Sequence, residues 1–370
     1  MGTTADDFTI GVEEEFQIID ARTRRLRPRA ARILPDAQAA VGDEVTNEFY
    51  LSQIEIGTPV CRTLADVRAE LVRLRRAVVA AADRAGCRIA AAGTHPFSHW
   101  DDQPLTPKPR YQGLMADYQQ LGREHLIFGC HVHVGIADRE AAVRVMNRVR
   151  PWLAPLAALS ASSPYWLGAD TGYASYRTEL FGRFPTTGTP GLFASRAEFD
   201  RLVADLTAAG MIEDASKLYW DVRPSSHVET IEFRVADVCP TVDEAVAVAA
   251  LCRALARTCH AADERGDPVD DARPEFLKAA AWHAARYGLD GNLVDVAARR
   301  SAPATDVVNA LLAFVRPALE EAGEWDEVSG LVARTLARGN GARRHRAAFD
   351  RAGRFEDVVD LVVAETAEGL

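Results

Sequence analysis

Four short segments of the chain alternate apolar and polar residues with a period of two, the spacing of a strand whose successive side chains point to opposite faces. In Gly11-Val12-Glu13-Glu14-Glu15-Phe16-Gln17-Ile18-Ile19, Glu13 and Glu15 share one side, and Val12, Phe16 and Ile18 share the other. Gln53 and Glu55 alternate with Ile54 and Ile56 before the stop at Gly57-Thr58-Pro59. Between Ile127 and Ile136, the residues Phe128, Cys130, Val132, Val134 and Ile136 share a face, and His131 and His133 share the opposite one. Thr230 to Val235 sets Glu232 and Arg234 against Ile231, Phe233 and Val235. Glu14 and Glu229 fall on the apolar parity and are left out of the polar face.

The intervening segments read mostly as helices. Thr63-Leu64-Ala65-Asp66 is a capping box opening a helix with Leu64, Val67, Leu71, Leu74 and Val78 on one stripe, closed by Gly86. A short strand from Cys87 to Ala92 leads into Gly93-Thr94-His95-Pro96 and a proline-rich loop through Pro109. Helices follow over 139–161, then a Gly/Ser/Tyr-rich segment over 162–191, then a helix capped by Ser195 with Glu198 and ended by Gly210. Lys217 to Asp237 reads as a hairpin turning at Pro224-Ser225-Ser226, and from Thr241, with Glu244 three residues on, the chain reads as helical nearly to its end. Early strands and late helices predict an α+β fold with an antiparallel sheet covered by helices. The expected organisation is a single catalytic domain over 1–370, with a sheet-containing core over 8–240 and a helical part over 241–370.

A face carrying Glu13, Glu15, Glu55 and Glu232 sets an electrostatic problem. Two unit charges ~4 Å apart interact by about 4 kcal/mol at an effective dielectric of ~20, so converging carboxylates need compensation. Divalent cations supply it, and hard oxygen ligands select Mg²⁺, Mn²⁺ or Ca²⁺, with coordination positions left for phosphate oxygens. The expected partner is therefore a metal-bound nucleotide. Arg234 shares a strand with Glu232, and Arg177 and Arg223 lie in neighbouring segments, where a guanidinium fork suits phosphate or carboxylate. The competing reading is an ordinary solvent-facing sheet, on which alternating charge is common.

Composition narrows the class. The chain has 370 residues, 48% of them hydrophobic, and a formal net charge of -10, which argues against nonspecific nucleic-acid binding. The N-terminus, Met1 to Asp7, lacks a basic region and an apolar h-region, no apolar run is read as a membrane span, and the expected compartment is the cytoplasm. Six cysteines, with no C-x-x-C pair, read as reduced structural thiols. No P-loop, no strand-linked G-x-G-x-x-G and no H-E-x-x-H occurs.

Taken together, Gly11-Val12-Glu13-Glu14-Glu15-Phe16, Ile54-Glu55-Ile56-Gly57-Thr58-Pro59, Gly93-Thr94-His95-Pro96, His131-Val132-His133-Val134-Gly135, the run from Ser162 to Arg177, and Trp220-Asp221-Val222-Arg223-Pro224 with Glu232-Phe233-Arg234 resemble the YbdK-type carboxylate-amine ligases of the glutamate-cysteine ligase superfamily. The resemblance runs from about residue 8 to residue 290 in order and spacing. It implies a catalytic sheet similar to that of glutamine synthetase and guanido kinases, ATP as cosubstrate, and Mg²⁺ or Mn²⁺ held by Glu13, Glu15, Glu55, Glu232 and His131. It further implies catalytic roles for Arg234, Arg177 and His131 and nucleotide or substrate contacts from Arg223, His133 and Ser175. The implied substrates are glutamate with cysteine or another amine, joined through a γ-glutamyl phosphate, and the implied assembly is a homodimer.

Two other classes stay open. His-x-His on a strand also opens metal-dependent hydrolases built on TIM barrels, although the other histidines show no βα rhythm. A noncatalytic metal-binding protein also explains an acidic face. The loop 98–110 and Pro224-Ser225-Ser226-His227 are the expected determinants of substrate choice.

Overall fold

The computed structural model describes residues 8–370, so the reading of Met1 to Asp7 lies outside the described residues. Its centre is a sheet of seven strands: β1 (Ile10–Asp20), β2 (Val45–Asn47), β3 (Gln53–Gly57), β4 (Cys87–Ala90), β5 (Gly129–Gly135), β6 (Val222–Pro224) and β7 (Thr230–Asp237). The order is β6-β7-β5-β1-β3-β2, with β4 also on β1, and every pairing is antiparallel. All four alternating segments therefore lie in one sheet. The register aligns their polar parities: Glu13 opposite His131, Glu15 opposite Glu55, and His133 opposite Glu232.

The apolar parity builds the core. Val12, Phe16, Ile54, Ile56, Val132, Val134, Ile231 and Phe233 are all buried beneath helices α1 (Leu64–Arg84) and α4 (Val242–Glu264). Helix α1 begins with the expected capping box, in which the Thr63 side chain accepts from Asp66 N, and its apolar stripe is buried. Thr241 and Glu244 open α4 in the same way. Helix α4 is long and apolar enough to cross a membrane by length and composition, contrary to the expectation from sequence; 72% of that window is buried inside the protein, the pattern of a core helix.

Glu14 shows why its parity mattered. It points into this core with a fully buried side chain, and Arg75 of α1 meets it bidentately, Nε to Oε2 at 2.8 Å and Nη2 to Oε1 at 2.5 Å. Arg75 also donates to the carbonyls of Cys239 and Pro240, tying α1 to the start of α4. All six cysteines are buried and free.

Three elements depart from the sequence reading. The C-terminal part is interrupted by a hairpin, Asn292–Asp295 with Arg300–Pro303, where continuous helix was expected. An unanticipated helix, Ala30–Val41, leads into β2. The proline-rich loop ends in helix α2 (Pro109–Tyr118), with Pro109 at a first-turn position, where its missing N–H leaves no bond unmade.

Candidate active site

The polar face of the sheet floors a cavity of about 460 Å³. Glu13 and Glu15 rise from β1, Glu55 from β3, His131 and His133 from β5, Arg223 from β6, and Glu232 and Arg234 from β7. Arg177, at the start of helix α3 (Tyr176–Phe181), forms part of the wall. Lys108, Arg110 and Tyr111 border it from the start of α2, and Ser225, His227 and Val228 from the β6–β7 turn. Both loops expected to govern substrate choice therefore reach the cavity, the first only through its final residues.

The carboxylates fall into two groups with different electrostatics. In the first, Glu13 Oε2 lies 3.2 Å from His131 Nδ1, and Glu13 Oε1 lies 3.4 Å from His133 Nε2. Burial disfavours the Glu13 charge, but hydrogen bonds from both histidines outweigh it and hold the carboxyl well below its usual range. Burial and then Arg234 push His131 down to about 4, so at neutral pH it is an uncharged imidazole beside an ionised Glu13. For His133 the attraction of Glu13 exceeds the cost of burial and raises its pKa. Glu232 is also buried, yet Arg234 and Arg223 keep it well below the ordinary carboxylate range.

In the second group burial outweighs such relief. Burial, reinforced by Glu48, raises Glu15 to about 7, even though its Oε2 accepts from Gly129 N at 2.6 Å. Burial and then the charges of Glu48, Glu13 and Glu15 raise Glu55 well above its usual value. Glu48 follows β2 and is raised by burial while accepting from Tyr111 Oη at 3.0 Å. Pattern reading missed Glu48 because it lies past the end of its strand, where period-two parity no longer applies.

The donor set suits a divalent cation. Ligand atoms of Glu13, His133 and Glu232 all lie within 4.8 Å of one another. His133 Nδ1 is 2.9 Å from Thr230 Oγ1, which orients the ring, while its buried Nε2 faces Glu13 Oε1 at 3.4 Å. An oriented ring whose second nitrogen faces the carboxylates of Glu13 and Glu232 is a donor set that fits a divalent cation. His131 was expected among the metal ligands and His133 at the nucleotide; the geometry brings His133 into the triad instead.

Two further expectations need correcting. Ser175 does not face the cavity: its side chain caps α3, accepting from Thr178 N, and donates to Asp237 Oδ1 at 2.7 Å. Ser175 and Arg177 do not share a strand face, because the segment is a turn running into a helix. Arg223 borders the cavity, but its Nε is spent on Glu232 at 2.8 Å and its Nη1 on the Ser216 and Leu218 carbonyls. It orients Glu232 more than it awaits a ligand. Arg234 and Arg177 differ: Arg234 pairs with Glu232 through Nη1, and among the described residues the buried Nε atoms of both arginines meet no acceptor.

The comparisons with known proteins agree with this geometry. The description "Glutamate-cysteine ligase family 2 (GCS2)" matches residues 9–362. A relative from Rhodopirellula baltica named "Putative glutamate--cysteine ligase 2" is 43% identical over 363 residues, covering 97% of this chain and 96% of the relative. One from Frankia alni, bearing the same name with the suffix 2-2, is 43% identical over 378 residues, covering 98% of each. Among solved structures, glutamate–cysteine ligase from Francisella tularensis in complex with AMP superposes with a TM-score of 0.72 at 14% identity, over 100% of this chain and 90% of that one. A bifunctional glutathione synthetase from Pasteurella multocida gives 0.71 at 16% identity, and this chain covers 53% of it. At those identities the two structures establish the shared fold, and the matches along the sequence establish the kinship: the chain belongs to glutamate-cysteine ligase family 2.

Proposed function

We propose that the protein is an ATP-dependent carboxylate-amine ligase that joins glutamate to cysteine. In this reading ATP passes its terminal phosphoryl group to the glutamate side-chain carboxylate, and the amine attacks the γ-glutamyl phosphate, yielding γ-glutamylcysteine, ADP and phosphate. The observation that carries it is the convergence of Glu13, Glu15, Glu48, Glu55 and Glu232 on one cavity wall that also presents the buried guanidinium groups of Arg177 and Arg234. The names of the relatives and the AMP bound to the Francisella ligase support the same reaction.

Mg²⁺ or Mn²⁺ fits two places: Glu13 with His133 and Glu232, and the Glu15, Glu48, Glu55 group, where burial raises all three carboxyls and charge repulsion adds to it at Glu15 and Glu55. Held by those residues, a divalent cation would supply charge neutralisation for the phosphates. The rest falls to the chain's own groups. Phosphoryl transfer is served mainly by positioning and electrostatic stabilisation, and Arg234 and Arg177 supply fixed positive charge toward the transferred phosphoryl group or the substrate carboxylate. Neutral His131 orients Glu13 through their hydrogen bond, and His131→Ala with unchanged ATP turnover would remove that role. The carboxylate is activated by phosphorylation, so no protein nucleophile is needed, and the buried cysteines take no part. A single catalytic domain over 1–370, a homodimeric assembly and a cytoplasmic setting belong to the same proposal.

The deciding experiment is ADP release with ATP, Mg²⁺ and glutamate, with and without cysteine, beside a Glu13→Gln, Glu15→Gln variant and with mass analysis of the product. Cysteine-dependent ADP with a γ-glutamyl dipeptide, lost in the variant, is the expected result. Activity only with another amine changes the acceptor and keeps the mechanism. No ATP consumption across a panel of acids and amines would overturn it.

A further inference from the structure

Asp237 ends β7, five residues after Glu232, and by strict alternation it belongs on the apolar face. The register says otherwise. Glu232 pairs with His133 and Phe233 with Val132, but Ala236 pairs with Cys130 and Asp237 with Gly129, so Arg234 and Val235 together oppose the single His131. A β-bulge of this kind inserts one residue and re-aims the side chains beyond it. Here it turns Asp237 onto the face that carries Arg234 and the histidines.

Asp237 meets there a set of hydroxyls and one guanidinium. Its Oδ2 accepts from Ser163 Oγ at 2.7 Å and Ser162 N at 2.8 Å, and its Oδ1 accepts from Ser175 Oγ at 2.7 Å. Arg177 Nη1 stands 3.9 Å from Oδ1, and Arg177 N donates to Ser163 Oγ at 3.1 Å. Arg177 and Asp237 are 3% and 1% exposed as side chains, so their attraction is poorly screened by water. The guanidinium is hemmed in elsewhere: Nη2 donates to the Arg234 carbonyl, and a Cβ at position 129 would collide with it. At Gly93 a Cβ would fall 2.7 Å from the Asp237 carboxyl, so the carboxylate also sits where only glycine leaves room.

We propose that Asp237 is the positioning residue for Arg177: pinned by Ser162, Ser163 and Ser175, its carboxylate holds the Arg177 guanidinium at the cavity wall in the orientation the reaction uses. The proposal rests on the reading of Arg177 as a contact for phosphate or substrate carboxylate. It also gives Ser175 a role one step removed from the ligand.

The test is a double-variant cycle on the full chain, with ATP, Mg²⁺, glutamate and cysteine. Arg177→Ala and Asp237→Asn are each expected to lower kcat on the order of 10²-fold, and the double variant to be no worse than Arg177→Ala alone. Free guanidinium ion is expected to restore part of the turnover of Arg177→Ala but none in the double variant, because the added cation needs the carboxylate beneath it. A merely structural aspartate would leave that rescue untouched. Losses that multiply, or equal rescue in both backgrounds, overturn the proposal. An inactive wild-type protein overturns the functional reading itself, an Arg177→Ala variant with normal turnover overturns the role of Arg177 and this inference with it, and an impaired Arg177→Ala beside a normal Asp237→Asn overturns only this inference. If Asp237→Asn does not fold, Gly129→Ala replaces it: its methyl group displaces Nη2 while Asp237 stays, and unchanged turnover there overturns the proposal.

Discussion

Three consecutive glutamates, Glu13, Glu14 and Glu15, face alternate sides of one strand, and single glutamine substitutions should separate their roles. Glu14 and Arg75 have fully buried side chains in bidentate contact, with the Arg75 guanidinium also 5.4 Å from the Phe16 ring. Removing one partner of a buried ion pair strands the other charge and costs about 3–5 kcal/mol. Unfolding entropy of about 2.1 cal/mol/K per residue, over 370 residues, gives about 0.8 kcal/mol/K, so Glu14→Gln should lower Tm by roughly 4–6 °C. The folded variant should keep its ADP-forming activity, because Glu14 faces α1 and not the cavity. Glu15→Gln should behave in the opposite way. It removes a carboxylate that burial and Glu48 disfavour, so it should raise the Tm of the metal-free protein while activity falls. Differential scanning calorimetry in EDTA, paired with ADP release in Mg²⁺, measures both axes. An unchanged Tm for Glu14→Gln, or a loss of activity in fully folded Glu14→Gln as deep as that of Glu13→Gln, would refute the assignment of faces. A Glu14→Met, Arg75→Met double variant should recover much of the lost stability, since matched apolar groups leave no stranded charge.

Other outcomes follow from the same structure. Mn²⁺ or Mg²⁺ at 100 times its Kd should stabilise the protein by about 2.7 kcal/mol, roughly 3 °C in Tm, and His133→Ala should abolish most of that shift in a melt with no nucleotide present. Burial and then the nearby Arg344 hold His345 at about 3, far below its unfolded value, so the unfolded chain takes up a proton as pH falls through about 6.5 while the folded protein does not. The sign is therefore a loss of stability on acidification: relative to His345→Leu, the wild type should lose about 1.4 kcal/mol between about pH 7.5 and about pH 5.5, readable from urea midpoints at the two pH values. Thr63→Ala removes the hydroxyl that accepts from Asp66 N and should cost about 1 kcal/mol in the same urea assay without changing turnover.

Alternation made the faces legible because it is a local property. Glu13, Glu15, Glu55, His131, His133, Glu232 and Arg234 were placed on the polar side by period-two spacing alone, and the antiparallel register then set them opposite one another. Helix caps at Thr63 and Thr241 were legible for the same reason, since a cap involves residues three apart. Wherever local geometry changed, the reading lost its warrant. Ser175 sits in a turn leading into a helix, where alternation carries no information, and Glu48 lies beyond the last residue of β2. Asp237 lies past a bulge that inverts the parity of the strand after Phe233. Long-range neighbours were beyond the sequence too: that Glu14 meets Arg75, that Arg223 is consumed by Glu232 and three carbonyls, and that His133 rather than His131 completes the triad. The sequence by itself determined which residues share a face, because that follows from φ and ψ along a few bonds. Which carboxylate finds a cation, a histidine or only another carboxylate was decided by the tertiary structure, because electrostatics and desolvation depend on what the rest of the chain brings within a few ångströms.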